Sequence, residues 1–92
     1  YILLSLSAPR HGDGIIKYVE ELTKGRIRLG SGTVYGTLTK MQKDNLIAVF
    51  SDGDRKTVYE ITSQGRKILK LEMERIKKLY TDMLSQEGLF HD

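Results

Sequence analysis

The chain has 92 residues, of which 39% are hydrophobic and 29% are charged, a composition typical of one globular domain. Its net charge of +3 and pI of about 9.2 favour an anionic partner, although a solvated surface explains the same excess. The absence of cysteine excludes disulfides and thiolate metal sites. No apolar run approaches the ~18 residues of a membrane span and no signal peptide is recognisable, so we expect a cytoplasmic protein without a membrane partner.

The N-terminal part of the chain predicts one amphipathic helix. Tyr1 to Ser7 is an apolar run that fits a strand or the end of a buried helix, and we expect residues before Tyr1 because the chain begins without Met. Residues 8–12 contain proline and glycine and predict a turn. A helix capped by Asp13 should follow and end at Lys24-Gly25. Its buried stripe comprises Ile15, Ile16, Val19 and Leu22.

A second helix is predicted from Gly32 to about Asn45, after a stretch, residues 26–29, that suits an edge strand or a linker. Ser31 is the candidate cap of this helix. Three apolar residues at helical spacing should face the core, namely Val34, Leu38 and Met41. The opposite face then carries Thr33, Thr37, Lys40, Lys43 and Asp44.

A hairpin follows, with strands at residues 46–50 and 56–61, and Asp52-Gly53 indicates a type I′ turn. Helix followed directly by hairpin is the chain order of a winged helix, in which the helix enters a DNA groove. The predicted fold is therefore α+β and mostly helical: a winged helix-turn-helix domain, residues 1–62, with a two-stranded wing.

Residues 63–92 predict a long dimerisation helix and its tail. Thr62 can cap a helix from Ser63 to about Ser85. Leu69, Met73, Ile76, Tyr80 and Met83 follow the spacing of a coiled-coil seam, which Leu79 and Leu84 widen. A core of this size cannot cover so long an apolar face, so we expect these seven residues to form a homodimer interface.

Three stretches of this sequence resemble the PadR family of bacterial transcriptional regulators. Pro9-Arg10-His11-Gly12 with Ile15-Ile16 is similar to the family's turn into its second helix. Residues 32–38, Gly-Thr-Val-Tyr-Gly-Thr-Leu, resemble its recognition helix, and residues 55–65 resemble its wing strand and the start of its last helix. The resemblance implies a dimeric DNA-binding regulator, most simply a repressor. Asp52 and Asp54, at the tip of the wing, are a departure from the family's pattern. Acidic residues at this place would repel a phosphate backbone.

The predicted DNA contacts lie on the second helix and the wing. They are Ser31, Thr33, Tyr35, Thr37, Lys40, Arg55 and Lys56. Hydroxyls and cations suit phosphate contacts, and a helix N-terminus favours an anion. The hydroxyl of Tyr35 either reaches DNA, as the resemblance implies, or is merely hydrated above a ring packed under the wing. Arg55 and Lys56 either meet the minor groove or balance the acidic tip.

The resemblance also implies a small aromatic or drug-like effector, for which Met73, Ile76, Tyr80 and Met83 are the candidate pocket, although such a stripe also suits plain dimer core. No catalytic constellation surrounds either histidine, and neither a metal site nor a phosphate-binding loop is recognisable, so we expect no enzyme activity and no cofactor. The alternative function is a winged-helix module that dimerises and binds a protein instead of DNA.

Overall fold

The computed structural model describes residues 1–53 and 55–90. Its helices and strands, in chain order, are α1 (Ile2–Ser5), β1 (Arg10–His11), α2 (Gly12–Leu22), α3 (Ser31–Lys43), β2 (Ile47–Asp52), β3 (Thr57–Ile61), α4 (Ser63–Ser85) and a short 3-10 helix (Glu87–Phe90). This architecture confirms the predicted fold class, a mostly helical winged helix with a long C-terminal helix. Asp54 of the predicted acidic tip lies outside the described residues.

The apolar run at the N-terminus is a helix, not a strand. Ser5 is fully buried, and its hydroxyl donates a hydrogen bond to the carbonyl of Ile2, which satisfies a polar group inside the core. The Nε of Arg10 donates to the carbonyl of Ser5 at 2.7 Å, and its guanidinium lies 4.3 Å from the ring centroid of Tyr18. Arg10 therefore joins the end of α1 to α2.

A short third strand accompanies the predicted wing hairpin. β1, which the sequence predicted as a turn, pairs antiparallel with β3 through Arg10 opposite Tyr59 and His11 opposite Val58. The strand order is β1-β3-β2, so β2 lies at the edge. Residues 26–29, for which a strand or a linker was open, are a linker.

Two predicted helix caps are wrong, for the same reason: each candidate cap already lies inside its helix. α2 begins at Gly12, and its cap is His11, whose Nδ1 accepts a hydrogen bond from the amide of Gly14 at 3.1 Å. Asp13 therefore lies inside the first turn, where its negative charge interacts favourably with the helix dipole. Ser31 is likewise the first residue of α3, which is capped by Gly30 without a side-chain hydrogen bond.

The wing loop does not contain the type I′ turn that Asp52-Gly53 indicated. Asp52 pairs with Thr57, so four residues, 53–56, lie between the strands. A type I′ turn would require Gly53 to adopt the left-handed conformation, and it does not. Among the described glycines that conformation is found at Gly25, with φ of 78°. The wing also has a β-bulge between Val49 and Ser51. Phe50 stands at this irregularity and is 59% exposed.

The hydrophobic core lies where α1, α2 and α3 meet the base of the wing. Its buried residues are Ile2, Leu3, Leu6, Ile15, Val34, Leu38, Ile47 and Ile61. Ile15 and Val19 are buried as predicted, but Leu22, at the end of α2, is 50% exposed and the prediction that it belongs to the buried stripe is wrong. Leu22 is the last residue of α2, and the buried positions at this end of the helix are Val19 and the C-cap Thr23, which lies just before Lys24 and Gly25 adopt positive φ.

The first turn of α4 is fixed to the point where α3 passes into β2. Thr62 caps α4 as predicted: its hydroxyl accepts from the amide of Gly65 at 3.0 Å and donates to the carbonyl of Asn45 at 2.7 Å. The amide of Thr62 donates to the carbonyl of Leu46 at 3.1 Å. Asn45 adopts the left-handed conformation, with φ of 61°, which asparagine tolerates better than most residues.

Candidate nucleic-acid interface

The orientation of α3 follows from its two buried residues. Val34 and Leu38 are essentially inaccessible to solvent, so they fix which side of the helix faces the core. With ~100° of rotation per residue, the side directly opposite carries Gly32, Gly36 and Lys43. A Cβ added at Gly32 or Gly36 would meet nothing within 4 Å. The outermost ridge of α3 is therefore bare backbone near its N-terminal end, which lets another molecule approach closely.

The predicted contact residues of α3 lie on the two flanks of this glycine ridge. Thr33 and Lys40 are exposed on one flank, with Thr37 half-buried below them. Tyr35 lies on the other flank, about 140° to 160° around the helix from the first group. Ser31 is exposed at the first turn, where its amide is among those that a helix leaves unpaired. A double helix that received α3 in a groove would meet both flanks.

The flank with Tyr35 faces the wing across a cleft of about 260 Å³. Its lining comes from the start of α2, from α3 and from the wing: His11, Asp13, Tyr35, Arg55, Lys56, Thr57 and Tyr59. The structure thus brings together three of the predicted DNA-binding residues, Tyr35, Arg55 and Lys56. Ser31, Thr33, Thr37 and Lys40 are not part of this cleft.

Tyr35 has a packed ring and an accessible hydroxyl. Its ring packs against the backbone of Gly12, because a Cβ built at Gly12 would lie 2.6 Å from the Cζ and the hydroxyl oxygen of Tyr35. The side chain is nevertheless 46% exposed, and within the described part of the chain its hydroxyl forms no hydrogen bond. A packed ring with a free hydroxyl is well placed to bind an anion beside two cations.

The two cations of the cleft are available for an external partner. Arg55 and Lys56 are exposed, and neither forms an ion pair with any residue that the structure describes. Asp52, one of the two acidic residues that could balance their charge, accepts a hydrogen bond from the hydroxyl of Thr57 at 3.0 Å. This hydrogen bond joins the two ends of the wing loop, so Asp52 helps to hold the loop in place.

Sequence reasoning missed several residues of this surface. His11 was assigned to a turn, yet it both caps α2 and lines the cleft. Thr39 is exposed beside the glycine ridge, where its hydroxyl donates to the carbonyl of Tyr35 at 2.9 Å. Thr39 lies five residues after the buried Val34, and at ~100° per residue this spacing alone could have predicted its exposed position. The signal for His11 is weaker, because a two-residue strand has no periodicity to detect.

The predicted dimer residues form an exposed apolar face on α4. Leu69 packs against the core, but Met73, Ile76, Leu79, Tyr80, Met83 and Leu84 are between 45% and 62% exposed. From Lys70 to Gly88 every residue is exposed, so the outer part of α4 has no cover within the described chain. On the same helix Arg75 hydrogen-bonds Glu72 and holds the pKa of that carboxyl below its ordinary value.

The candidate effector residues do not share one cavity in the single chain. Tyr80 and Met83 line a groove of about 590 Å³ together with Leu84 at the end of α4. Met73 lines a separate groove of about 320 Å³ with Leu69, between Lys70 and Lys77. Ile76 lines neither groove.

Within residues 1–53 and 55–90 no helix has both the length and the apolar character needed to cross a membrane. Over the same residues, no group of three or more histidine, cysteine, aspartate or glutamate side chains could hold a metal ion.

Comparison with known proteins gives consistent results at the level of family and fold. The model of the transcriptional regulator PadR-like family matches residues 2–71. Transcriptional regulator YqjI of Escherichia coli is 30% identical over 69 residues, which are 75% of this chain and 33% of YqjI. The chain therefore spans about a third of the length of the curated relatives that it matches.

Two solved structures share the fold. A transcriptional regulator from Clostridium thermocellum is 23% identical, with a TM-score of 0.81 over 91% of this chain and 84% of that chain. A PadR family transcription regulator from Clostridium difficile is also 23% identical, with a TM-score of 0.79 over 91% of each chain. At this identity the likeness extends to the arrangement of helices and wing.

Proposed function

This chain belongs to the transcriptional regulator PadR-like family, and on that premise we propose that it is a homodimeric DNA-binding repressor. The family is one of transcriptional regulators and not of enzymes. The glycine ridge of α3 enters a DNA groove, and the wing lies along the backbone. The observation that carries this proposal is the cleft in which Tyr35, Arg55 and Lys56 meet.

The chemistry of the cleft fits a backbone phosphate. Arg55 and Lys56 supply unpaired positive charge, and the free hydroxyl of Tyr35 supplies a neutral donor. On the opposite flank, Lys40 and the hydroxyl of Thr33 face the second strand of the same groove. Ser31 and the backbone amides of the first turn add donors at the positive end of the helix dipole. Asp13 also lines the cleft, so phosphate binding there depends on the two cations outweighing one carboxylate.

Dimerisation rests on the uncovered apolar face of α4. If six half-exposed side chains each lose about 90 Å² of accessible surface, two copies bury roughly 1,100 Å², near the lower end of specific interfaces. This area clears the roughly 1,000 Å² expected of a biological interface. A two-fold axis through this seam presents the two α3 helices to half-sites about one helical turn apart, on a palindromic operator.

We further propose that a small hydrophobic or aromatic effector binds between the paired α4 helices. Met73 and the pair Tyr80 and Met83 line grooves that a second helix would roof over. Occupation would change the angle of the helices and so release DNA. Isothermal titration with and without the substitution Tyr80→Ala tests this, and equal heats for both proteins would contradict it.

The salt dependence of DNA binding tests the main proposal. Lys40, Arg55 and Lys56 give six cation contacts in a dimer, so the logarithm of the binding constant should fall against the logarithm of salt with a slope of about −5. Fluorescence anisotropy with a labelled duplex measures it. Absence of binding at about 50 mM salt would favour the protein-binding alternative.

Single substitutions locate the surface. Tyr35→Phe and Lys40→Ala should each weaken operator binding, by about tenfold for each half-site, because each half-site loses one hydrogen bond to a charged group. Lys78→Ala is the matched control, since Lys78 is an exposed lysine of α4 outside the proposed surface. If both variants bind like the control while remaining dimeric, the assignment of α3 as the DNA-contacting helix is wrong.

A further inference from the structure

We propose that Gly12 is a positioning residue for the DNA contact of Tyr35, an inference that rests on the proposed function. Gly12 is the first residue of α2 and is buried, so it is not itself one of the exposed residues proposed to contact DNA. The tip of the Tyr35 ring lies directly over it. The absence of a side chain at Gly12 therefore decides where the hydroxyl of Tyr35 stands in the cleft.

The distances show how little room there is. A Cβ at Gly12 would lie 2.6 Å from Cζ, 2.6 Å from the hydroxyl oxygen and 2.8 Å from Cε1 of Tyr35. Non-bonded carbon atoms ordinarily stand about 3.5 to 4.0 Å apart, so a methyl group here would require a displacement of about 1 Å. The three contacts are all with the far end of one side chain, and that end is the part bearing the hydroxyl.

The ring, not the backbone, would yield to an added methyl group. Val34 is fully buried and holds the backbone of α3 beside Tyr35, and the hydrogen bond between His11 and Gly14 holds the first turn of α2. The ring of Tyr35 is instead 46% exposed and can turn outward about its side-chain bonds. Gly12→Ala should therefore preserve the fold and move the hydroxyl by about 1 Å. This exceeds the range of about 0.5 Å over which a hydrogen bond to an oxygen keeps its strength.

The charge of the site gives a readout that a general loss of structure would not reproduce. Tyr35 contributes a neutral donor, whereas Arg55 and Lys56 release counterions from DNA. Displacing the hydroxyl should weaken binding by about tenfold for each half-site while leaving the salt slope unchanged. Damage to the wing or to the dimer would reduce the slope as well.

The experiment is a double-mutant cycle with the full chain. Duplex binding is measured by anisotropy, at several salt concentrations, for the unsubstituted protein, Gly12→Ala, Tyr35→Ala and the double variant. Gly14→Ala is the matched control, two residues along the same helix, where the nearest atom to an added Cβ is 3.6 Å away. Thermal unfolding of each variant reports on the fold.

The expected result is a loss of affinity for Gly12→Ala, none for Gly14→Ala, and no further loss when Gly12→Ala is added to Tyr35→Ala. Equal affinity of Gly12→Ala and the unsubstituted protein would overturn this inference alone, as would an additive loss in the double variant. If Gly12→Ala fails to fold, the double variant decides: the inference requires it to fold and to bind like Tyr35→Ala. Absence of duplex binding by the unsubstituted protein would overturn the proposed function and this inference with it.

Discussion

Replacing Gly65 with alanine should loosen the attachment of α4 to the DNA-binding domain. A Cβ at this position would lie 2.1 Å from the carbonyl oxygen of Leu46 and 2.8 Å from Cγ1 of Ile61. Unlike the ring that covers Gly12, the carbonyl of Leu46 is a backbone atom and cannot turn away. The first turn of α4 must therefore move outward, by about 1 Å, to reach an ordinary contact distance.

The magnitude follows from what that movement disrupts. The amide of Thr62 donates to the carbonyl of Leu46, and its hydroxyl donates to the carbonyl of Asn45. Each such hydrogen bond contributes about 1 kcal/mol, and partial loss of packing on the core costs a further ~1–2 kcal/mol. Alanine recovers ~1 kcal/mol as the better helix former. The free energy of unfolding should fall by about 2–3 kcal/mol, which lowers the Tm by roughly 10–20 °C for a domain of this size.

Thermal unfolding at a fixed protein concentration measures this, since the stability of a dimer depends on concentration. The matched control is Gly36→Ala in the middle of α3, where an added Cβ meets nothing within 4 Å. The same substitution should there raise stability by up to ~1 kcal/mol. If Gly65→Ala is as stable as the control, the close contact between α4 and the carbonyl of Leu46 does not exist in the folded protein.

Two other predictions concern the dimer and the exit of α3. Ile76→Glu should yield monomers by light scattering, because it places a charge in the apolar seam. Leu71→Glu, on the opposite side of the same helix and 62% exposed, should leave the dimer intact, and an unchanged mass for both variants would discredit the seam. Asn45→Ala should lower the free energy of unfolding by ~1 kcal/mol in denaturant titration, while Asn45→Gly should not, because position 45 has a φ of 61°. Equal losses for the two would show that this backbone conformation is not the cause.

The helices and the wing could be predicted because their signals are periodic. Val34 and Leu38 are buried at the predicted helical spacing, and Thr62 caps α4 as its sequence position indicated. The start of α2 was misplaced because the cap is supplied by His11, a residue type with little preference for that role. Its imidazole serves as cap because the pairing of β1 with β3 already holds it beside the first turn. Such a tertiary constraint leaves no mark in a local pattern.

The candidate site was predicted residue by residue but not as an arrangement. The sequence identified Tyr35, Arg55 and Lys56 separately, one on a helix and two on the hairpin that follows it. That they share one cleft depends on the packing of α2 against α3, and the residue that sets this approach is Gly12. A glycine within a turn pattern is usually explained by its backbone freedom. Here its function is the space it leaves for a ring, which a single sequence cannot show.

The junction around Thr62 has a consequence for how the proposed dimer would respond to an effector. One hydroxyl, on Thr62, accepts from the amide of Gly65 in α4 and donates to the carbonyl of Asn45, two residues beyond the end of α3. Because Gly65 also touches the carbonyl of Leu46, α4 has no space to move relative to the DNA-binding domain at this junction. A change in the angle between paired α4 helices must then rotate each α3 as a rigid extension of α4. Over the ~34 Å of a 23-residue helix even a rotation of a few degrees amounts to a shift of ångströms, enough to take two α3 helices out of register with successive grooves.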